Sequence, residues 1–372
     1  MLPLNKVNCV LMRGGTSKAV FFHQNDMPED REKWQPFLLD VLGSPDARQI
    51  DGLGGANSLT SKVAIIKESS REDADVDYTF GQVSLTQPLV DFKGNCGNIS
   101  SAVGPYAIDQ GLVKVTEGVT KVRIYNTNTK KIIVSEVEVE VGKPKVDGNC
   151  IIPGVPGSGS PVYLSFINPE GSVTGKLLPT GKPMDIIKTS FGEIPISIVD
   201  AANPLVFVNA SDVGLKGTEL PADFTNEKLM QLEEIRSIAA ELCGFAPFEE
   251  ATNISPAVPK MTIISSPQDY MDRTGVLRKK EDMDLLIRMM SMQKPHQSLA
   301  ITGAICTTAG AAIEGSLLSK LIQSGSNQLR LAHPAGIMDT QVKTRNGNLE
   351  FVKVVRTARK LLEGYVLTRK SY

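Results

Sequence analysis

FKGNCGNISSAVGPYAIDQGL, residues 92–112, and TGAICTTAGAAIEG, residues 302–315, decide how this chain folds. Both read as helices built mostly from Gly, Ala, Ser and Thr with few large side chains, so neighbouring backbone can approach closely. Such a helix suits the inside of a curled sheet better than a surface. The two end in similar phrases, AIDQGLV and AIEGSLL, which points to a weak internal duplication: two related domains, each wrapped round one helix. Pro105 is expected to bend or end the first helix.

Around these helices most of the sequence reads as strand. VNCVLM (7–12), KAVFF (18–22), SKVAIIKE (61–68), VDYTFGQVSL (76–85), KVRIYNTN (121–128), KKIIVSEVEVEV (130–141) and VYLSFI (162–167) are rich in β-branched residues and punctuated by Gly, Pro and Asn. Further helices are expected at 29–43, at 225–244 with Gly244 as its stop, and at 281–294, EDMDLLIRMMSMQK. Trp34, on the first of these, reads as core or interdomain packing. The fold class is α+β. The Gly/Pro-rich passage LLPTGKPMD (177–185) marks the expected boundary, with domains 1–184 and 185–363, whereas PGVPGSGSP (153–161) reads as a loop.

A chain of 372 residues is long for one core, which also favours two domains. Its 41% hydrophobic and 22% charged residues are those of a globular protein. Lys+Arg (40) balances Asp+Glu (41), which argues against a nucleic-acid partner. No apolar run approaches the roughly 20 residues of a membrane span, so no membrane partner is expected. The N-terminus carries no signal-like region, which favours the cytoplasm. Five scattered cysteines without a Cys-x-x-Cys pair, and three dispersed histidines, argue against zinc and disulfides alike. Oligomeric state, a homo-oligomer included, is not fixed by the sequence.

Cys96 stands between Asn95 and Gly97 at the mouth of the first small-residue helix, where helix N–H groups stabilise a thiolate or hold a carboxylate. A cysteine filling a core more often has apolar neighbours. Cys9, Cys150, Cys243 and Cys306 are assigned to such inert roles. Lys62 follows the small, polar run Asn57-Ser58-Leu59-Thr60-Ser61 and precedes the apolar VAII. A lysine at a strand edge usually keeps its ammonium in water. To act as a base it must be neutral, its pKa falling from about 10.4 toward roughly 7–8, a shift on the order of 4 kcal/mol. RGGTSK (13–18) could present donors to a carboxylate or be a plain turn, and SMQKPH (291–296) precedes the second helix. GLGGAN (52–57) lacks the last glycine of a dinucleotide fingerprint and RGGTSK the order of a P-loop.

MRGGTSKAVFF, QIDGLGGANSLTSKVAII, VDYTFGQVS, GNCGNISSAVGPYAIDQGLV, DAANPLVFV and SMQKPHQSLAITGA together resemble the PrpF-like isomerases, nearly end to end. The resemblance implies a diaminopimelate epimerase-like fold, two similar domains each with a curled mixed/antiparallel sheet around a central helix. The active site is then expected in the cleft between the domains, with a final strand near 364–372 returning to the first. It implies a cofactor-independent isomerase of an unsaturated di- or tricarboxylate of 2-methylaconitate, methylitaconate or aconitate type. By that resemblance Lys62 and Cys96 are the expected acid/base pair. Candidate substrate contacts are Thr16, Ser17, Asn57, Ser58, Ser61, Gly97, Asn98, Asn203, Ser291, Met292, Lys294, Thr302 and Gly303. Related epimerases carry a second cysteine where this chain has Ala300, which cannot move a proton. That speaks against an amino- or hydroxy-acid epimerase. A 4-oxalomesaconate-type tautomerase and a non-catalytic accessory protein of a dehydratase remain as alternatives.

Overall fold

A computed structural model describes residues 5–92, 94–322, 327–345 and 348–372. Residues 1–4 of the expected first domain, and Lys93 in the quoted helix stretch, lie outside them. The chain divides into two units, Met1–Ser165 with Val355–Tyr372, and Phe166–Val354.

In the first unit β1 (Asn5–Gly14) and β2 (Ser17–His23) form a hairpin, followed by α1 (Trp34–Leu42). β3 (Lys62–Glu68) lies parallel to β2, and β4 (Val76–Val83) antiparallel to β3. The short β5 (Val90–Asp91) leads into α2 (Gly97–Asp109). β6 (Gly118–Asn126) then runs parallel to β4, and β7 (Lys131–Glu140) antiparallel to β6. β8 (Lys143–Pro144) and β9 (Val162–Ile167) pair with β7.

Period-two alternation sets what each strand faces. Val20, Phe22, Val63 and Ile65 pack on Trp34, Phe37, Leu38, Val41 and Leu42 of α1. The opposite face, with Phe21 and Tyr106 ring centroids 5.3 Å apart, meets α2. Helix α2 is buried from Gly97 to Ile108, with strands β1, β2, β3, β6 and β7 around it. Its small residues are needed: a Cβ on Gly104 would fall 2.9 Å from Cβ of Ser135 on β7. Pro105 does not end the helix, which continues to Asp109.

The second unit opens with β10 (Asp185–Thr189), β11 (Gly192–Ala201) and β12 (Asn203–Asn209), all antiparallel. After α3 (Asn226–Leu242) and α4 (Ala251–Ile254), β13 (Lys260–Ser265) lies parallel to β12. A small hairpin, β14 (Tyr270–Met271) and β15 (Leu277–Arg278), precedes β16 (Leu285–Ser291), which is antiparallel to β13. β17 (Lys294–Pro295) leads into α5 (Ile301–Ala311), then α6 (Leu317–Leu321). β18 (Gln328–His333) runs parallel to β16, and β19 (Gly336–Arg345) and β20 (Asn348–Arg356) complete the run. β21 (Ala358–Thr368), back in the first unit, pairs antiparallel with β1.

Each unit therefore repeats one order: antiparallel, parallel, antiparallel, parallel, antiparallel, with a buried small-residue helix before the second parallel strand. Two expectations need correction. The helix foreseen at 281–294 holds strand β16, because LLIRMM is buried on both faces, Arg288 included, so its apolar residues show neither helical nor strand periodicity. The division near 184 falls instead at Ser165/Phe166. The Gly/Pro-rich passage is tied into the second unit, since Asp200 N donates to Leu177 O and the Asp200 carboxylate collects Val173 N, Thr174 N and Ser172 Oγ.

Candidate active site

Lys62 opens β3, and its register places it on the face that looks at α2, in step with Ala64 and Ile66. Only 6% of it is exposed. Its Nζ donates to Oε1 of Gln82, its antiparallel partner on β4, and sits 5.3 Å from the centre of the Phe80 ring. Burial pushes the Lys62 pKa down from 10.5, and the charge of Cys96 opposes that in part. Lys62 and Cys96 are thus within electrostatic reach of each other.

Cys96 is the N-cap residue of α2, half-buried, in extended conformation, and no side chain caps the helix there. Its carbonyl accepts from Ser100 N at 2.9 Å. The preceding Asn95 is anchored by Asn126, whose Nδ2 donates to Asn95 Oδ1 at 3.0 Å. Asn126 Oδ1 accepts in turn from Thr129 N at 2.9 Å, so the IYNTN turn holds the approach to the helix. Tyr78 lies fully buried close by; burial raises its pKa well above the ordinary 10.0 and keeps it a neutral phenol. Burial likewise pushes up the thiols of Cys9, Cys150 and Cys306, and that of Cys243 to about 12, in keeping with inert cysteines.

The β1–β2 turn lies directly against the first turn of α2. Thr16 N donates to Asn98 Oδ1 at 3.4 Å, and a Cβ on Gly14 or Gly15 would collide with Asn98. Gly15 also has φ +51, where a side chain is strained. Ser17 is cross-strand from Gly14, so its side chain takes the same α2-facing side; its buried hydroxyl has no hydrogen-bond partner among the described residues. Thr16, Ser17, Gly97 and Asn98 are thereby gathered at one helix mouth.

The DGLGGANSLTS loop is organised around Gln49, which is buried with φ +47. Gln49 Oε1 accepts from Ala56 N at 2.9 Å and lies 2.7 Å from Ser61 Oγ. Asn57 Oδ1 accepts from Leu59 N at 2.9 Å and its Nδ2 donates to Gly55 O at 3.2 Å. The Asn57 amide and Ser61 hydroxyl are thus engaged in shaping the loop, and the Ser58 carbonyl accepts from Gln82 Nε2 at 3.2 Å.

In the second unit, Thr302 and Gly303 lie in the first turn of α5, whose N-cap Ala300 makes no side-chain cap. Ser291 and Lys294 close the β16–β17 hairpin, with Met292 (φ +51) and Gln293 (φ +59) at its tip. Such a turn usually takes Asn and Gly, so this one stores strain. Asn203 opens β12 with a buried Nδ2 that has no partner among the described residues. His296 Nδ1 accepts from Ser298 N at 3.0 Å. Among the described residues no cluster of His, Cys, Asp and Glu is placed to hold a metal ion, and no helix is long and apolar enough to cross a membrane.

Gln49, Gln82, Tyr78 and Asn126 escaped the sequence reading. The sequence signal at Gln82 is only an amide inside the strand-like TFGQV.

Two units of one strand order, each rolled round a small-residue helix, define a diaminopimelate epimerase-like fold of the α+β class. A hydroxyproline epimerase from Agrobacterium vitis shares it, with a TM-score of 0.54 at 12% identity over 97% of this chain and 92% of that one. Within that fold the chain belongs to the PrpF family, whose model, described as PrpF protein, matches residues 4–369. It is 58% identical over 99% of its length, and 99% of the relative's, to a putative isomerase, YraM, of Bacillus subtilis. The crystal structure of a methylitaconate-delta-isomerase superposes with a TM-score of 0.88 at 45% identity, covering 98% of this chain and 96% of that one. The protein is an isomerase.

Proposed function

We propose that this isomerase moves a proton across the allylic system of an unsaturated di- or tricarboxylate of methylitaconate, 2-methylaconitate or aconitate type, with Lys62 as base and Cys96 as its partner. The observation that carries the proposal is the pairing of a buried Lys62 amine, its proton affinity lowered by burial, with a thiol at the uncapped start of α2. The name of the methylitaconate-delta-isomerase relative supports the substrate class.

Neutral Lys62 removes a proton from the carbon next to the double bond. Negative charge spreads through the conjugated system into a carboxylate, where N–H groups of Gly97 and Asn98 stabilise it. The Cys96 thiol protonates the far end of the allyl unit, leaving a thiolate beside the Lys62 ammonium. Return of that proton from nitrogen to sulfur, directly or through water, resets the enzyme. Thr16 and Ser17 would fix a carboxylate at this mouth, and Thr302 and Gly303 offer N–H donors at the mouth of α5. The chemistry calls for no cofactor. Five cysteines free of disulfides support a reducing compartment such as the cytoplasm.

A panel of these acids, followed by proton NMR in D₂O, tests the reading. One member should isomerise with deuterium entering an allylic carbon. No turnover of any of them would overturn the substrate class, and turnover without solvent exchange would overturn the two-group mechanism.

A further inference from the structure

We infer that Gln82 is the positioning residue of the base: its amide holds the Lys62 amine in place while leaving that amine free to gain and lose a proton. The inference rests on the reading of Lys62 as base and goes beyond it by assigning the residue that aims the lone pair.

The register is the starting point. Lys62 and Gln82 are directly opposed on β3 and β4, so their side chains share the α2 face. The amide cannot turn over. Its Nε2 donates to Ser61 O at 2.9 Å and to Ser58 O at 3.2 Å, and carbonyl oxygens can only accept. Oε1 is therefore the atom turned to Lys62 Nζ. The Ser61 carbonyl is itself fixed, since Val83 N donates to it at 3.0 Å. Asn128 clamps the same stretch of β4, accepting from Phe80 N at 2.8 Å and donating to Phe80 O at 2.9 Å.

An amide oxygen accepts a hydrogen from an ammonium and from a neutral amine alike. The contact survives proton transfer and restricts rotation about the terminal C–N bond, so the lone pair of the neutral amine keeps one direction. A carboxylate at this place would lock the charged form. The groups that face Lys62 are Cys96 from α2, Phe80 and Gln82 from β4, and uncharged Ala19 opposite it on β2; Asp91 on β5 lies across from Gln82. The charge of Cys96 favours the charged form of Lys62, against the effect of burial. A neutral hydrogen-bonding partner such as the Gln82 amide is what a titrating lysine requires.

The experiment compares Gln82→Glu, Gln82→Met and Lys62→Ala with the parent enzyme, recording kcat and KM across the neutral and alkaline range on the acid that the panel identifies. Gln82→Glu should move the ascending limb of kcat/KM about 1–2 pH units upward, so the rate near neutrality falls ~10- to 100-fold and returns in alkali. Gln82→Met, which keeps the bulk and removes the acceptor, should lower kcat ~10-fold or more with KM within about threefold. An unmoved limb in Gln82→Glu, or parental kcat in Gln82→Met, overturns the inference, and the Met variant decides alone where the Glu variant does not fold. Activity in Lys62→Ala would remove the base reading itself. A dead Lys62→Ala beside an unmoved limb sinks the role of Gln82 and leaves the base standing.

Discussion

The mouth of α2 and the mouth of α5 are built from the same parts in the same order, and they differ in what those parts can do. β3 opens with Lys62 opposite Ala19 of β2; β13 opens with Lys260 opposite Leu205 of β12. In both cases the parallel partner is the third residue of its strand. Each lysine also begins the same pattern, KVAII in one and KMTII in the other. Yet α2 is preceded by Cys96 and α5 by Ala300. Lys62 is buried against an amide; Lys260 is half-buried, its Nζ 3.4 Å from the Ala257 carbonyl. The two units share one strand order, and the proposed acid/base pair lies in the first of them. α3 and α6 are capped by Thr225 and Ser316 side chains, whereas the two central helices, like the peripheral α1 and α4, have no side-chain cap.

The sharpest way to break this comparison is to remove the two lysines in turn. Lys62→Ala and Cys96→Ala should each lower kcat by ~1000-fold or more while substrate still binds, as loss of an acid/base group does. Lys260→Ala should cost less than about tenfold in kcat/KM. Steady-state kinetics and a binding isotherm decide the matter. Equal losses at Lys62 and Lys260 would mean that both mouths carry chemistry.

The same contrast explains what could be read from the sequence. The small-residue helices and most strands were legible because close packing and β-branched alternation are local properties. Cys96 and Lys62 stand out as candidates because their flanks are unlike those of a core thiol or a surface amine, and the roles proposed for them come from the family resemblance. β16 was not legible, since LLIRMM is buried from both sides and hydrophobicity alone does not name its period. Gln82 was not, because its meaning comes from register with a residue 20 positions away. Asn57 and Ser61 are candidate contacts in the sequence; what the sequence does not show is that the Asn57 amide and the Ser61 hydroxyl also shape the loop around Gln49.

Packing at the two mouths differs as well, and alanine at one glycine of each measures it. A Cβ on Gly14 would run into the backbone carbonyl of Asn98 and come 3.1 Å from Ile99 Cα, and backbone cannot step aside. Gly14→Ala should therefore lose about 1–3 kcal/mol of stability. A Cβ on Gly303 meets Met289 Sδ at 2.7 Å, the far end of a flexible side chain. That crowding is offset by the roughly 1 kcal/mol that alanine gains over glycine in a helix, so Gly303→Ala should change stability little. Denaturant unfolding of the pair checks this. Equal destabilisation would show that α5 is held as rigidly as α2.

The smallest effect concerns the cost of keeping Lys62 where it is. Its pKa is lower in the folded protein than the ordinary 10.5, so between those two values the unfolded chain binds the extra proton. Folded stability must then rise with pH through that window, and the penalty of burying the charge is fully present below the folded value. Lys62→Met removes the penalty and keeps the bulk. It should be more stable than the parent at neutral pH by on the order of 1 kcal/mol, an advantage that shrinks as the pH climbs toward 10.5. Lys260→Met, at the half-buried counterpart, should show a smaller advantage at neutral pH. Thermal unfolding of parent and both variants over that range reads the difference directly. If Lys62→Met gives no advantage at neutral pH, the amine is not held at the expense of the fold, and the first mouth loses its distinction from the second.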